Sequence, residues 1–231
     1  MKIVIDPGHG GRWRPSPPRG DPGVVTPDGE KIESHYNWLY AQTLRDVLQK
    51  AGFEVVMTRE HDNYTVDNRE RTRATEPGDL FISIHFDSVV GGRRMIYFAG
   101  LNNALRDDSL KFAKEVDAHL KTKDLRSSTT SRFGRLYIDD AKCPAILIEV
   151  DRIDRADGSV GARLEFANNV LSGIMDYLGV FELPGGVIDE DEIPVFATPF
   201  QRVFVIENGT ERQLDISRMS IVGDKLYIAL R

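Results

Sequence analysis

Four side chains that can bind a metal ion or move a proton stand at the ends of predicted secondary-structure elements: His9, Glu33, His85 and Glu149. His9, His85 and Glu149 each follow a short apolar run that predicts a buried strand, and Glu33 precedes a predicted helix. Two histidines and a glutamate are a known ligand set for catalytic zinc, which leaves one coordination position open for water. A further glutamate after an apolar run would be poorly solvated, which suits a general base and acid near neutral pH.

Alternating strands and helices would bring these distant residues together. Apolar runs predict strands near residues 2–6, 54–58, 80–84, 95–98 and 145–148. Apolar residues at helical spacing predict helices near residues 37–51, 66–74, 109–121 (with Ser109 as N-cap) and 164–178. Strands separated by such helices are typical of a mostly parallel sheet, and such sheets collect their ligands where the strands end. We therefore predict an α/β fold, a three-layer α/β/α domain, for residues 1–182.

The character of the chain changes after Leu183. A Pro-Gly-Gly sequence and a run of acidic residues predict a linker over residues 183–192. Short β-like runs joined by Asn208-Gly209 and Gly223-Asp224 then predict a small β-rich module over residues 193–231. A module of about 40 residues is near the lower limit for independent folding. We therefore expect it to pack on the main domain, on a second copy of the chain as a homodimer, or on a partner.

Composition excludes several classes of function. The formal net charge of −6 over 231 residues disfavours a nucleic-acid binder, which usually carries a basic face. No apolar run approaches the ~20 residues of a membrane-spanning helix. The only cysteine, Cys143, excludes an intrachain disulfide. The chain opens directly into a predicted strand without a charged and apolar leader, so we expect either no classical export signal or a mature form.

Each candidate residue also has a purely structural interpretation. A histidine at a strand end is more often hydrogen-bonded than metal-bound, and Glu149 could form a salt bridge or cap a helix. Asp87 is a rival ligand, because it would share a face with His85 if the strand continues. Asp6 is expected to face away from His9. The glycines around His9 fit a tight turn and match neither the dinucleotide fingerprint nor the P-loop. Spacing alone therefore leaves metal binding undecided.

An ordered set of motifs carries a family resemblance. The motifs are IDPGHGG at residues 5–11, Asp21-Pro22-Gly23, Glu33, Thr58-Arg59, DLFISIH at residues 79–85 and PAILIEV at residues 144–150. Together they resemble the zinc-dependent N-acetylmuramoyl-L-alanine amidases of bacterial and phage cell-wall hydrolysis, over roughly residues 1–180. The resemblance implies an α/β sheet flanked by helices, in agreement with the reading of the apolar runs.

The resemblance also implies a role for each residue. His9, Glu33 and His85 match the ligands of Zn²⁺, and Glu149 matches the catalytic glutamate. The substrate would be peptidoglycan, and the bond cleaved would join N-acetylmuramic acid to the first L-alanine of the stem peptide. Arg59 and Arg71 fall where the family often keeps arginines. For these we expect anchoring of helices and loops by ion pairs.

Three segments depart from the family pattern. Residues 12–20, which include Trp13 and three arginines, form an insertion beside His9 that could grip the glycan or an acidic stem-peptide group, or could simply be exposed. Phe86-Asp87-Ser88 follows His85 where small residues are expected. Residues 150–154 follow Glu149 where the family more often has glycine and aromatic residues. These departures leave the four site residues intact and bear on stem-peptide specificity.

Two other functions are carried forward as alternatives. The chain could be a catalytically silent peptidoglycan-binding protein, although such a relative tends to lose at least one of the four residues. It could also be another zinc peptidase or deacylase on the same scaffold. A wall amidase without a leader fits a phage endolysin or a sporulation autolysin, which would reach the wall after phage lysis or mother-cell lysis. For residues 193–231 we predict wall targeting, dimerisation or an extension of the core.

Overall fold

The computed structural model describes residues 1–11, 20–100, 105–131 and 136–180, together with the backbone of four strands between residues 203 and 230. The chain divides into two compact units, Met1–Pro184 and Gly185–Arg231. The strands of the first unit are β1 (Lys2–Pro7), β2 (Glu54–Met57), β3 (Leu80–Asp87), β4 (Met95–Phe98), β5 (Leu125–Ser127) and β6 (Ala145–Arg152). Its helices are α1 (Glu33–Lys50), α2 (Asn68–Arg71), α3 (Arg106–Leu120) and α4 (Val160–Leu178).

The six strands form one mixed sheet with the order β2-β1-β3-β6-β4-β5. The pairs β1–β2, β1–β3, β3–β6 and β4–β5 are parallel, whereas β4 runs antiparallel to β6. The predicted α/β fold with a mostly parallel sheet is therefore confirmed. The edge strand β5 was not predicted, because it has only three residues and one of them, Arg126, is charged.

Both faces of the sheet are buried. One face is covered by helices. Helix α1 packs on β1, β2 and β3, and helix α3 packs on β4 and β6. Helix α4 contacts both α1 and α3. The other face carries Val4, Phe81 and Leu147, which cluster with the 3-10 helix Tyr137–Asp140. Side chains alternate between the faces along a strand, so Ser83 and His85 lie on the same face as Phe81. His85 therefore lies on the face of the sheet opposite the long helices α1, α3 and α4.

Helix boundaries differ from the prediction in three places. Helix α1 begins at Glu33 rather than near Asn37, because the Glu33 N–H donates to the Val24 carbonyl at 2.9 Å. Helix α3 begins before Ser109, so Ser109 is not its N-cap; its hydroxyl instead accepts from the Ala145 N–H at 3.1 Å. The predicted helix over residues 66–74 is only the single turn α2, which Asp67 caps.

The second unit contains two antiparallel strand pairs. Strand β7 (Val203–Glu207) pairs with β8 (Thr210–Leu214), and β9 (Ile216–Val222) pairs with β10 (Lys225–Leu230). The predicted linker, residues 183–192, and the insertion at residues 12–19 lie outside the described residues. In the part of the chain that the structure describes, no helix has the length and apolar character needed to cross a membrane.

Candidate metal centre

His9 is presented by a tight turn at the end of β1. Its own backbone is left-handed, with φ of +57°, a conformation that is uncommon outside glycine and often found at functional sites. Gly8 donates its N–H to the Ile84 carbonyl at 2.9 Å. A Cβ at Gly8 would lie 2.2 Å from His85 Nε2. Glycine at this position therefore lets the His9 turn pack directly on the His85 ring.

Asp21 is pinned beside His9 by the backbone. Gly10 and Asp21 exchange two N–H···O bonds of 2.7 and 2.8 Å, which form an isolated bridge. The Asp21 carboxylate then lies 2.9 Å from His9 Nδ1. A carboxylate can only accept here, so the proton of a neutral His9 sits on Nδ1 and the lone pair on Nε2 faces the site. A carboxylate behind a histidine in this way is the common support of a metal-binding histidine.

Glu33 enters the site from the first turn of α1. Its Oε2 accepts the Val24 N–H at 2.8 Å, while its own N–H bonds the Val24 carbonyl, so backbone and side chain are fixed by the same residue. Its Oε1 lies 3.1 Å from His9 Nε2 and 3.0 Å from His85 Nδ1. This carboxylate oxygen therefore faces one nitrogen of each histidine.

The three side chains converge on one point. One ligand atom each from His9, Glu33 and His85 lies within 4.8 Å of the others, and Asp87 is not part of this group. Tetrahedral zinc ligands at 2.0–2.2 Å lie roughly 3.3–3.6 Å from one another. The two contacts of Glu33 Oε1, at 3.0 and 3.1 Å, are slightly shorter than this range, and the ligand nitrogens of His9 and His85 lie within 4.8 Å of each other. The structure brings together all three residues that the sequence singled out as ligands.

Glu149 stands beside this group. It pairs in register with His85 across β3 and β6, so the two side chains project from the same face of the sheet. Glu149 is 7% exposed and His85 is 9% exposed. Both line a cavity of about 470 Å³ that also contains His9 and Glu33. All four candidate residues therefore share one cavity.

The charges of the site favour a cation. Burial alone would lower the pKa of His9, but hydrogen bonds with Asp21 and Glu33 outweigh it and raise the pKa to about 10. Burial would raise the pKa of Glu33, and the two histidines oppose this and lower it instead. Burial lowers the pKa of His85, with hydrogen bonding to Glu33 acting the other way. At neutral pH His9 therefore keeps a second proton in the metal-free site, and a divalent ion bound beside the carboxylates of Asp21 and Glu33 would displace that proton.

Two buried arginines anchor the backbone around the centre. Arg59 donates to the carbonyls of Pro7 at 3.0 Å and Ser34 at 2.7 Å, which ties the end of β1 to the start of α1. Arg71 donates to Asp6 Oδ1 at 2.7 Å and to the His9 carbonyl at 2.8 Å. The prediction that these arginines anchor helices and loops is confirmed, although most of their partners are carbonyl oxygens rather than carboxylates.

The two rival carboxylates are engaged elsewhere. Strand β3 does continue through Asp87, which lines the same cavity. Its carboxylate accepts the backbone N–H groups of Ser88 at 2.7 Å and Arg93 at 3.0 Å. Asp6 is fully buried and paired with Arg71. Asp6 therefore supports the turn that carries His9 instead of facing the centre.

Two supporting residues were missed from the sequence. Asp21 belongs to a quoted motif but received no role, and its place behind His9 depends on the bridge to Gly10. Tyr137 belongs to none of the motifs, yet its hydroxyl lies 2.9 Å from His85 Nε2. The signal for Asp21 was its Asp-Pro-Gly sequence shortly after the His9 turn. Tyr137 gave no comparable signal, because 52 residues separate it from His85.

Gly23 provides a direct test of the centre. It has φ of +65°, and a Cβ there would lie 2.4 Å from Glu33 Oε2 and 2.6 Å from His9 Cδ2. We expect Gly23→Ala to displace both ligands and to weaken metal binding. A left-handed alanine also costs about 1–2 kcal/mol of stability. Metal affinity and the free energy of unfolding should be measured together.

Gly29→Ala is the matched control, because Gly29 has φ of +74° and no atom within 4 Å of an added Cβ. It should lose a similar unfolding free energy and keep its metal affinity. Equal metal affinities in the two variants would contradict the crowding of Glu33 and His9 at Gly23.

Comparison with known proteins identifies the family. A family model described as N-acetylmuramoyl-L-alanine amidase matches residues 3–174, which is most of the chain. The chain belongs to this family. The resemblance inferred from the ordered motifs is thereby confirmed.

Two kinds of relatives agree with this assignment. The chain is 32% identical over 158 residues to the probable cell wall amidase LytH of Staphylococcus saprophyticus, covering 65% of this chain and 47% of that protein. It is 28% identical to LytH of Staphylococcus aureus over 187 residues, covering 78% and 57%. The chain thus spans about half the length of these curated relatives. The crystal structure of Ami1, the N-acetylmuramyl-L-alanine amidase of Mycobacterium abscessus, has 23% identity and a TM-score of 0.64 over 77% of this chain and 98% of that one, which supports the fold.

Proposed function

We propose that this protein is a zinc-dependent hydrolase that cleaves the amide bond between N-acetylmuramic acid and L-alanine in peptidoglycan. One observation carries the proposal: ligand atoms of His9, Glu33 and His85 converge within 4.8 Å in the cavity that also holds Glu149. Membership of the amidase family over residues 3–174 supports the substrate class. A silent wall-binding protein would not need this constellation.

His9, Glu33 and His85 would hold the zinc ion. Two neutral imidazoles and a carboxylate form the ligand set of several zinc hydrolases and leave a position for water or substrate. Zinc in this position would polarise the scissile carbonyl and make water a stronger nucleophile at neutral pH. Asp21 supports the ligand role of His9, because it would accept the Nδ1 proton of the metal-bound ring and leave Nε2, which faces Glu33, to bind the ion.

Glu149 would move the proton. In hydrolysis the water oxygen bonds to the lactyl carbonyl carbon, the carbon–nitrogen bond breaks, and the alanine nitrogen leaves as an amine. The Glu149 carboxylate would accept the proton of the water and then deliver it to that nitrogen. Its position beside His85 on the neighbouring strand supports this role.

The same cavity would orient the substrate. Apolar side chains of Val24, Leu136 and Leu147 line it together with polar groups of Asn68 and Tyr97. Mostly apolar walls with a few polar groups are typical of sites that bury a ligand and fix its orientation. We propose that the lactyl–alanine junction occupies this cavity.

We propose a separate role for each of three parts of the chain. Residues 1–182 would form the catalytic domain, residues 183–192 a linker, and residues 193–231 a small module for wall targeting, dimerisation or core extension. The partner would be the glycan and stem peptide of the cell wall. The protein would act at the cell wall.

Digestion of purified peptidoglycan tests the proposal. The intact protein with zinc should release new amino groups of alanine without new reducing sugar ends. Removing the metal with a chelator should abolish this release, and added zinc should restore it. Release of other amino groups, with the muramic acid amide intact, would favour a peptidase. No release under any metal condition would favour a silent wall-binding protein.

A further inference from the structure

The Tyr137 hydroxyl connects His85 to a buried ion pair. It lies 2.9 Å from His85 Nε2, 2.7 Å from Asp6 Oδ2 and 2.7 Å from Ser83 Oγ. Ser83 Oγ also lies 2.7 Å from Asp6 Oδ2. The other Asp6 oxygen receives the Arg71 guanidinium at 2.7 Å. Two hydroxyl groups therefore contact a single carboxylate oxygen, and one of them, that of Tyr137, also contacts the His85 imidazole.

The number of available protons determines which group donates in each of these hydrogen bonds. The ion pair with Arg71 keeps Asp6 ionised, so Oδ2 can only accept. Ser83 Oγ, the Tyr137 hydroxyl and Asp6 Oδ2 lie 2.7 Å from one another, close enough that each contact needs a proton between its oxygens. The two hydroxyl groups have only two protons for these three contacts, so Tyr137 donates to Asp6 or to Ser83 and has no proton left for His85. Its lone pairs are left for His85, and Nε2 of His85 must be the donor.

We propose that Tyr137, held by Asp6, is the positioning residue that keeps the proton of His85 on Nε2 and leaves the Nδ1 lone pair to bind the metal. The inference rests on the proposed zinc site. Nδ1 of His85, rather than Nε2, lies 3.0 Å from Glu33 Oε1, and a metal ion shared by this nitrogen and this oxygen would hold the lone pair and the carboxylate together. His9 has the opposite arrangement, because Asp21 binds its Nδ1 and Nε2 faces Glu33.

As a consequence, His9 and His85 would bind the metal in different tautomers, each held by a partner on the ring nitrogen that does not face Glu33. Removing the Tyr137 hydroxyl would leave the buried Nε2–H without its acceptor and allow the ring to rotate or change tautomer. Loss of such a supporting partner typically weakens metal binding by about 10–100-fold. The effect should appear in the binding of zinc itself and does not depend on turnover.

The experiment compares the unsubstituted protein with Tyr137→Phe and Ser83→Ala. Each variant removes one hydroxyl donor from Asp6 Oδ2, but only Tyr137→Phe also removes the partner of His85. Zinc affinity is measured by competition with a chromophoric chelator. We expect about a 10–100-fold loss in Tyr137→Phe and much less in Ser83→Ala. Equal affinities in all three proteins, or equal losses in both variants, would overturn the inference.

A second measurement requires no variant. In the zinc-loaded protein with ¹⁵N-labelled histidine, long-range ¹H–¹⁵N spectra should show the His85 proton on Nε2 and the His9 proton on Nδ1. A His85 proton on Nδ1 would overturn the inference while leaving the zinc site intact. Failure of the unsubstituted protein to bind zinc would instead overturn the proposed function, and the inference with it.

Discussion

Replacing Glu149 with glutamine is expected to lower the rate of wall amide hydrolysis by about 10²–10⁴-fold, the usual contribution of a general base and acid. Glutamine preserves the size of the side chain but cannot accept the proton of the attacking water. Glu149 is not among the three converging ligands. The zinc content of Glu149→Gln should therefore equal that of the unsubstituted protein.

The measurement pairs metal analysis with release of alanine amino groups from purified walls. Glu54→Gln is the control, because Glu54 is an exposed glutamate at the start of strand β2 of the same sheet. It should retain both zinc and activity. If Glu149→Gln were active at more than about a tenth of the normal rate, another group would have to move the proton.

Replacing Glu33 with glutamine should have the second large effect, loss of zinc. The amide oxygen can still accept the Val24 N–H, so the start of α1 should be preserved. A neutral amide is, however, a much weaker ligand for a divalent ion than a carboxylate. Because loss of a ligand's supporting partner already costs about 10–100-fold in metal affinity, loss of the ligand charge should cost at least as much.

Zinc affinity and wall hydrolysis should fall together in Glu33→Gln. Glu30→Gln is the matched control three residues earlier, where the side chain is exposed, and it should behave like the unsubstituted protein. Full zinc affinity in Glu33→Gln would show that the metal is held by a different set of residues.

The sheet could be predicted well because its strands are made of short, continuous apolar runs. Ile82 and Ile84 of β3 and Ile146 and Ile148 of β6 are fully or nearly fully buried, which is the pattern of strands covered on both faces. The edge strand β5 lacks this signal. Ser109 was misplaced as an N-cap because its hydroxyl is used to bind the Ala145 N–H, a tertiary contact that helix rules do not include.

The candidate site was predictable in part. His9, His85 and Glu149 follow apolar runs, and the parallel sheet brings the ends of such runs to one edge. Glu33 was a candidate from its place at a helix start, but a glutamate there is ordinary, and only the family resemblance gave it the specific role of a ligand. The supporting contacts of Asp21 and Tyr137 depend on a backbone bridge and on a buried carboxylate, and neither follows from local sequence.

The bridge between Gly10 and Asp21 also makes the segment between these two residues a suitable place to insert other sequences. Two backbone hydrogen bonds join Gly10 to Asp21, so we expect a change in the number of residues between them to leave the imidazole of His9 in place. Lengthening a closed loop is inexpensive, at about 0.6 kcal/mol for each doubling. New recognition sequences could thus be introduced between these two residues, and the same reactive centre could be redirected to walls of different chemistry.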